Sequence, residues 1–220
     1  MQTKADLIDA LRQAGVDLLA NRLTWGKAGN LSARLNSDTL LVTASGTNLG
    51  ALRDEDFVEV PIAEIGEQNY SRRPTKELPM HRAVYAARPD VQAVVHASPF
   101  YTTLIACSGV DVPAGMFVES MYYLERVARV PYAHPGSTRL GEWVAEKAAQ
   151  ANLLLLENHG VLAYDASLDE ALMGVQAFEL AAKTWITARS AGIDLNLISP
   201  EVMQDFLTNS GYRPRRSWPE

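Results

Sequence analysis

Three side chains in this sequence have the types that hold a divalent cation: Glu77, His96 and His159. Glu77 lies in Pro74-Thr75-Lys76-Glu77-Leu78-Pro79-Met80-His81. His96 ends the apolar run Ala93-Val94-Val95, and His159 follows Leu153-Leu154-Leu155-Leu156-Glu157-Asn158. Two neutral imidazoles and a carboxylate suit zinc and its first-row neighbours. The carboxylate can also carry a proton to or from whatever the cation holds. Each histidine follows a short apolar run of the kind that forms a buried strand, so both rings can converge at one edge of a sheet. Taken singly, Glu77 is an ordinary helix-start carboxylate favoured by the helix dipole, and either histidine an ordinary buried strand-end residue. The combination is what points to a site.

The elements that must position these groups alternate between helix and strand, with no low-complexity linker and no internal repeat. Apolar spacing predicts helices over 4–23, 78–88, 99–108, 138–151 and 169–190, with a last one near 200–207. β-branched and apolar runs predict strands over 39–43, 57–62, 91–96, 127–132, 153–157 and 161–164, with a weaker alternation over 30–35. Gly26 and Gly29 break the first helix pattern, and Ser45-Gly46-Thr47-Asn48 reads as a turn. This is an α/β domain over 1–208, followed by an irregular tail over 209–220.

Composition narrows the function. The chain has 220 residues, 47% hydrophobic and 21% charged, enough to bury a core without staples. A net charge of -6 argues against nucleic acid as a partner. The basic cluster Arg213, Arg215 and Arg216 reads as a solvated terminus. Cys107 is the only cysteine, so no disulfide can form within the chain and a reducing cytoplasm fits. The opening residues lead into an amphipathic helix, not an apolar signal region. No run approaches the roughly 20 apolar residues of a membrane span.

Five phrases stand in a fixed order: Gly29-Asn30-Leu31-Ser32, Thr43-Ala44-Ser45-Gly46, Glu77-x-x-x-His81, Val95-His96 and Asn158-His159-Gly160. Together, over about residues 5–195, they resemble the class II aldolase/adducin family, which includes L-fuculose-1-phosphate aldolase-like enzymes, epimerases and decarboxylases. The resemblance implies a three-layer α/β/α sandwich around a mostly antiparallel sheet, and a homotetramer with active sites between neighbouring subunits. It implies that Gly29, Asn30, Ser45, Gly46, Thr75 and Lys76 bind a substrate phosphate. It assigns Glu77, His96 and His159 to a divalent metal, zinc first with manganese or cobalt possible, and Glu77 to proton transfer as well. Glycines that let N–H groups approach an anion, hydroxyl donors and a lysine are chemically apt for the phosphate. The family does not use His81 as a ligand, so it is expected to be structural or hydrogen-bonding.

Two departures stand out. The family's His-x-His is His96-Ala97-Ser98 here, and a serine hydroxyl is a poor zinc ligand. Three arrangements follow: a metal held by Glu77, His96 and His159 alone, help from His134 of this or a neighbouring subunit, or no metal. The tyrosine that the aldolase branch uses as a general acid corresponds to Phe117, which cannot transfer a proton. Tyr122, Tyr123 and Glu119 lie nearby, but Tyr212 in the tail, closing over the site, is the better candidate.

The implied reaction is carbon–carbon cleavage of a small phosphorylated ketose or sugar acid through a metal-stabilised enediolate. Glu77 shuttles the proton and Tyr212 serves the departing aldehyde oxygen. The alternatives are a decarboxylase of a keto sugar-acid phosphate, which forms the same enediolate, and a non-catalytic adducin-like binding domain with a degraded metal site.

Overall fold

The computed structural model describes residues 3–64, 66, 69–214, 216 and 218. Among these residues the strands are β1 (Asn30–Arg34), β2 (Thr39–Thr43), β3 (Phe57–Pro61), β4 (Ala93–Ala97), β5 (Val127–Val130), β6 (Leu153–Leu156) and β7 (Gly160–Asp165). They form one sheet in the order β3-β2-β1-β4-β7-β6-β5. Only the β5–β6 pair is parallel; every other neighbouring pair is antiparallel. A period of two residues sends alternate side chains to opposite faces, and both faces are apolar. Leu153 and Leu155 belong to one core, Leu154 and Leu156 to the other.

Helices cover both faces. On one side lie α1 (Lys4–Ala20), α3 (Phe100–Ala106), α4 (Val118–Tyr123) and α6 (Leu168–Ala191), whose Leu11, Leu18, Tyr123 and Phe178 pack with Leu31, Val95 and Leu155. On the other lie α2 (Leu78–Ala87) and α5 (Thr138–Ala148), whose Met80, Val84, Tyr85 and Val144 pack with Val42, Val94 and Leu154. Side-chain caps start three of these helices: Thr3 with Asp6, Ser137, and Ser167. Gly192, at φ 67°, ends α6 in the left-handed conformation that glycine tolerates. This is the three-layer sandwich with a mostly antiparallel sheet that the sequence implied.

Two features differ from expectation. The segment around Phe117 holds the short helix α4, started by Ser120, whose hydroxyl accepts from the Phe117 N–H at 3.0 Å and lies 2.6 Å from the Ala114 carbonyl it bonds. Of the tail arginines, Arg213 is exposed as expected but Arg216 is not solvated. Arg216 is buried against Asp165 (2.7 Å), donates to the Tyr122 carbonyl (2.7 Å) and stacks on the Tyr122 ring at 4.0 Å. Arg213 pairs with Glu170 at 3.1 Å. Arg215 lies outside the described residues.

Candidate metal centre and substrate cleft

Strand register delivers the histidines. His96 is opposite Asn30 on β1 and Leu162 on β7. His159 sits in the tight turn joining β6 to β7, where Asn158 has φ 56°, a value asparagine accepts more readily than most residues. Glu77 arrives from the third side. An isolated bridge, Ala44 to Pro74, and the bond from Thr75 N–H to the Thr43 carbonyl extend the end of β2 and place Glu77 just before α2.

The three groups meet. Their ligand atoms lie within 4.8 Å of one another. Glu77 Oε2 is 3.3 Å from His96 Nε2, and Glu77 Oε1 is 3.0 Å from His159 Nε2. His96 Nδ1 lies 3.0 Å from the Val161 carbonyl. That contact requires an N–H at Nδ1 and leaves a lone pair at Nε2. Glu77 Oε1 is buried without a hydrogen bond, and so is His159 Nδ1. Burial alone would raise the Glu77 carboxyl, but His96, His159 and the Asn30 amide outweigh it and hold it at about 2. Burial pushes the His96 imidazole down, against the pull of Glu77. A carboxylate oxygen beside two imidazole nitrogens, buried and lacking a hydrogen bond, is costly by itself and fits a cation.

The site opens into a cleft of about 350 Å³. Gly29, Asn30, Ser45, Gly46, Thr75 and Lys76 all line it, together with Ser98. The Ser98 hydroxyl makes a long, 3.5 Å contact to the His159 carbonyl. The Asn30 side chain donates to Glu77 Oε2 at 2.7 Å and meets His81 Nε2 through Oδ1 at 2.5 Å. His81 is fully buried and lowered to about 3, chiefly by desolvation. Trp25, Lys27 and Pro135 also wall the cleft and were not anticipated. Lys27, between Gly26 and Gly29, carried the one available signal: a cation inside a glycine-bounded turn.

Other expected groups lie elsewhere. His134 is exposed, and its Nδ1 is 3.2 Å from the Tyr132 hydroxyl. Phe117 packs against the α6-side core, Tyr123 donates to Glu170 at 2.9 Å, and neither they, Glu119 nor Tyr122 line the cleft. Tyr212 does not line the cleft of its own chain either. Its ring packs on Phe206 and Tyr122, with centroids at 5.3 and 6.0 Å. The tail that carries it is pinned to Asp165, the last residue of β7, whereas His159 precedes the first. Five strand steps separate those ends by about 17 Å. Among the described residues of the tail, none lines the cleft that holds Glu77.

Comparison with known proteins gives the class. The model of the Class II Aldolase and Adducin N-terminal domain matches residues 9–186. The L-fuculose phosphate aldolase of Haemophilus influenzae is 28% identical over 201 residues, covering 91% of this chain and 92% of that one. The 3-oxo-tetronate 4-phosphate decarboxylase of Pectobacterium atrosepticum is 35% identical over 173 residues, 77% of this chain and 78% of that one. The crystal structure of YgbL from Klebsiella pneumoniae, a putative aldolase/epimerase/decarboxylase, superposes with a TM-score of 0.83 at 30% identity, covering 94% of this chain and all of that one. The chain belongs to the class II aldolase and adducin family. The two curated relatives named above are an aldolase and a decarboxylase of phosphorylated compounds.

Proposed function

We propose that this protein is a metal-dependent carbon–carbon lyase acting on a small phosphorylated ketose or sugar acid. The observation that carries the reading is the buried meeting of Glu77, His96 and His159 around Glu77 Oε1, which lacks a hydrogen bond, at one end of a cleft with lysines on its wall. Glu77, His96 Nε2 and His159 Nε2 would hold the cation, zinc first and manganese or cobalt next. When bound, it supplies Lewis acidity for the negative charge that develops on the substrate as the bond breaks. Lys76 and Lys27, with the hydroxyls of Ser45 and Thr75, bind the phosphate end. Thr75 Oγ1 already accepts from the Glu77 N–H at 3.3 Å, so its own O–H is free to donate. Glu77 Oε1 is the oxygen able to take and return a proton, because Asn30 occupies Oε2. The trio also argues against a purely scaffolding role, which has no use for a buried carboxylate with one oxygen left without a hydrogen bond beside two imidazoles.

One observation favours the decarboxylase variant. Among the described lining residues there is no tyrosine hydroxyl, yet there are two lysines. Release of carbon dioxide needs no proton donor at an aldehyde oxygen, and a second cation suits a substrate carrying carboxylate as well as phosphate. The aldolase variant requires that donor from outside the chain, which in the homotetramer we propose is Tyr212 of the partner subunit. A cytoplasmic location is part of the same proposal, supported by the single cysteine.

The test is to supply the zinc-, manganese- or cobalt-loaded protein with ketose 1-phosphates and with 3-oxo sugar-acid phosphates, measuring aldehyde and carbon dioxide. Turnover that Glu77→Gln abolishes is expected. No turnover of either class by metal-loaded protein would remove the lyase reading.

A further inference from the structure

Residues 77, 81 and 85 fall about one helical turn apart, from the N-cap of α2 to its last turn, and Asn30 and Ser32 are two apart on β1. Four helical residues rise about 6 Å, and two strand residues about 6.7 Å, so the two rows stay in step. The result is one buried ladder. Asn30 Nδ2 meets Glu77 Oε2 at 2.7 Å, His81 Nε2 meets Asn30 Oδ1 at 2.5 Å, His81 Nδ1 meets Ser32 Oγ at 2.7 Å, and Ser32 Oγ meets the Tyr85 hydroxyl at 3.1 Å. Asn30, Ser32, His81 and Tyr85 are all buried.

Chemistry fixes the direction of every link. A carboxylate only accepts, so the Asn30 NH2 must face Glu77 and its Oδ1 must face His81. That oxygen needs a donor, so His81 carries its proton on Nε2. Its Nδ1 then accepts, the Ser32 hydroxyl donates to it, and the Ser32 oxygen is left to accept from Tyr85.

We propose that His81 is a positioning residue: a one-directional hydrogen-bond chain from Tyr85 through Ser32, His81 and Asn30 holds Glu77 Oε2 and presents Oε1 to the cation and substrate. This rests on Glu77 having the role proposed above. The chain also accounts for Asn30 turning inward instead of toward the phosphate end. Removing the Ser32 hydroxyl frees His81 to move its proton to Nδ1. The Nε2 lone pair then opposes Asn30 Oδ1, and an Asn30 flip that relieves this sets Oδ1 against the Glu77 carboxylate. The effect of Ser32 thus reaches Glu77 through two intervening side chains.

The experiment is nitrogen-15 NMR of histidine-labelled, metal-free protein, followed by zinc titration. The chain has four histidines. His81 is expected as the Nε2–H tautomer and His96 as the Nδ1–H tautomer; added zinc should shift His96 and His159 but leave His81 in place. Ser32→Ala should disturb the His81 tautomer and weaken zinc binding about 10–100-fold, the range for groups that orient metal ligands. With turnover, kcat should fall while KM changes little, because the phosphate end is untouched. His81→Gln, which can still donate to Asn30, should recover most of the affinity, whereas His81→Phe, which fills the space without polar atoms, should not. An Nδ1–H tautomer at His81, or wild-type zinc affinity in both Ser32→Ala and His81→Phe, would overturn the proposal. The tautomer measurement needs neither metal nor substrate, so it decides the hydrogen-bond chain separately from the lyase reading.

Discussion

Gly29→Ala should damage the protein well beyond the loss of a flexible residue, and Gly46→Ala calibrates by how much. Both glycines line the cleft and both have left-handed backbones, at φ 84° and 78°. A left-handed conformation costs a residue with a Cβ about 1–2 kcal/mol. A Cβ at Gly46 would meet nothing within 4 Å, so that figure is its whole expected cost. A Cβ at Gly29 would lie 2.7 Å from the His96 carbonyl oxygen and 3.2 Å from Thr24 Oγ1. The His96 carbonyl belongs to a central strand and cannot yield cheaply, so overpacking adds about 1–3 kcal/mol. Gly29→Ala should therefore cost about 2–5 kcal/mol, a large share of the roughly 5–15 kcal/mol that holds a typical domain together. It should also weaken zinc binding, because the displaced strand carries the His96 ring. The assay is urea denaturation of wild type and both variants at one protein concentration with chelator present, so that neither assembly nor metal differs. Equal destabilisation by the two substitutions would refute the close approach of Gly29 to β4.

Glu77→Gln should lower kcat by about 10²–10⁴, the usual contribution of a positioned acid–base group, with an unchanged circular dichroism spectrum; activity within tenfold of wild type would strip Glu77 of its role. Ser98→His should tighten zinc binding at least tenfold, about 1.4 kcal/mol, by calorimetric titration. Unchanged affinity would mean that residue 98 does not aim at the cation. Stability should also depend on His81, whose imidazole is held at about 3 when folded against 6.5 when free. The unfolded chain binds its proton first, so this stability is fully present above about pH 7 and drains as pH falls from 6.5 toward 3. Between pH 7.5 and 5 the loss is about 2 kcal/mol. Between those two pH values the unfolding free energy of wild type, from urea denaturation, should fall by about 2 kcal/mol more than that of His81→Gln; an equal fall in both would show that burial does not lower the His81 imidazole.

Long periodic segments were legible from the residues: β2 spans 39–43 as expected, and α6 departs by one residue at each end. α4 was not, because six residues give no helical period, and what starts it is a serine hydroxyl inside the segment. The meeting of Glu77, His96 and His159 was legible because each ends or begins an element with a strong pattern. The tail was not: Arg216 and its partner Asp165 are 51 residues apart, and charge alone cannot distinguish a solvated arginine from one buried in an ion pair. His81 could be read as a hydrogen-bonding residue one turn after Glu77. Its partner Asn30 could not, since the register between α2 and β1 exists only once the sheet is assembled. For the same reason the sequence could not show that Tyr212 packs on Phe206 and Tyr122, outside the lining of the cleft.

The central claim is that Glu77, His96 and His159 suffice for a cation without the imidazole that Ser98 replaces. Elemental mass spectrometry on purified wild type and His159→Ala, each after incubation with excess zinc and desalting, tests it most directly. About one metal ion per chain in the wild type and essentially none in the variant is the predicted result. Metal-free wild type under the same treatment would contradict the account and turn the search toward metal-independent ligands of the cleft.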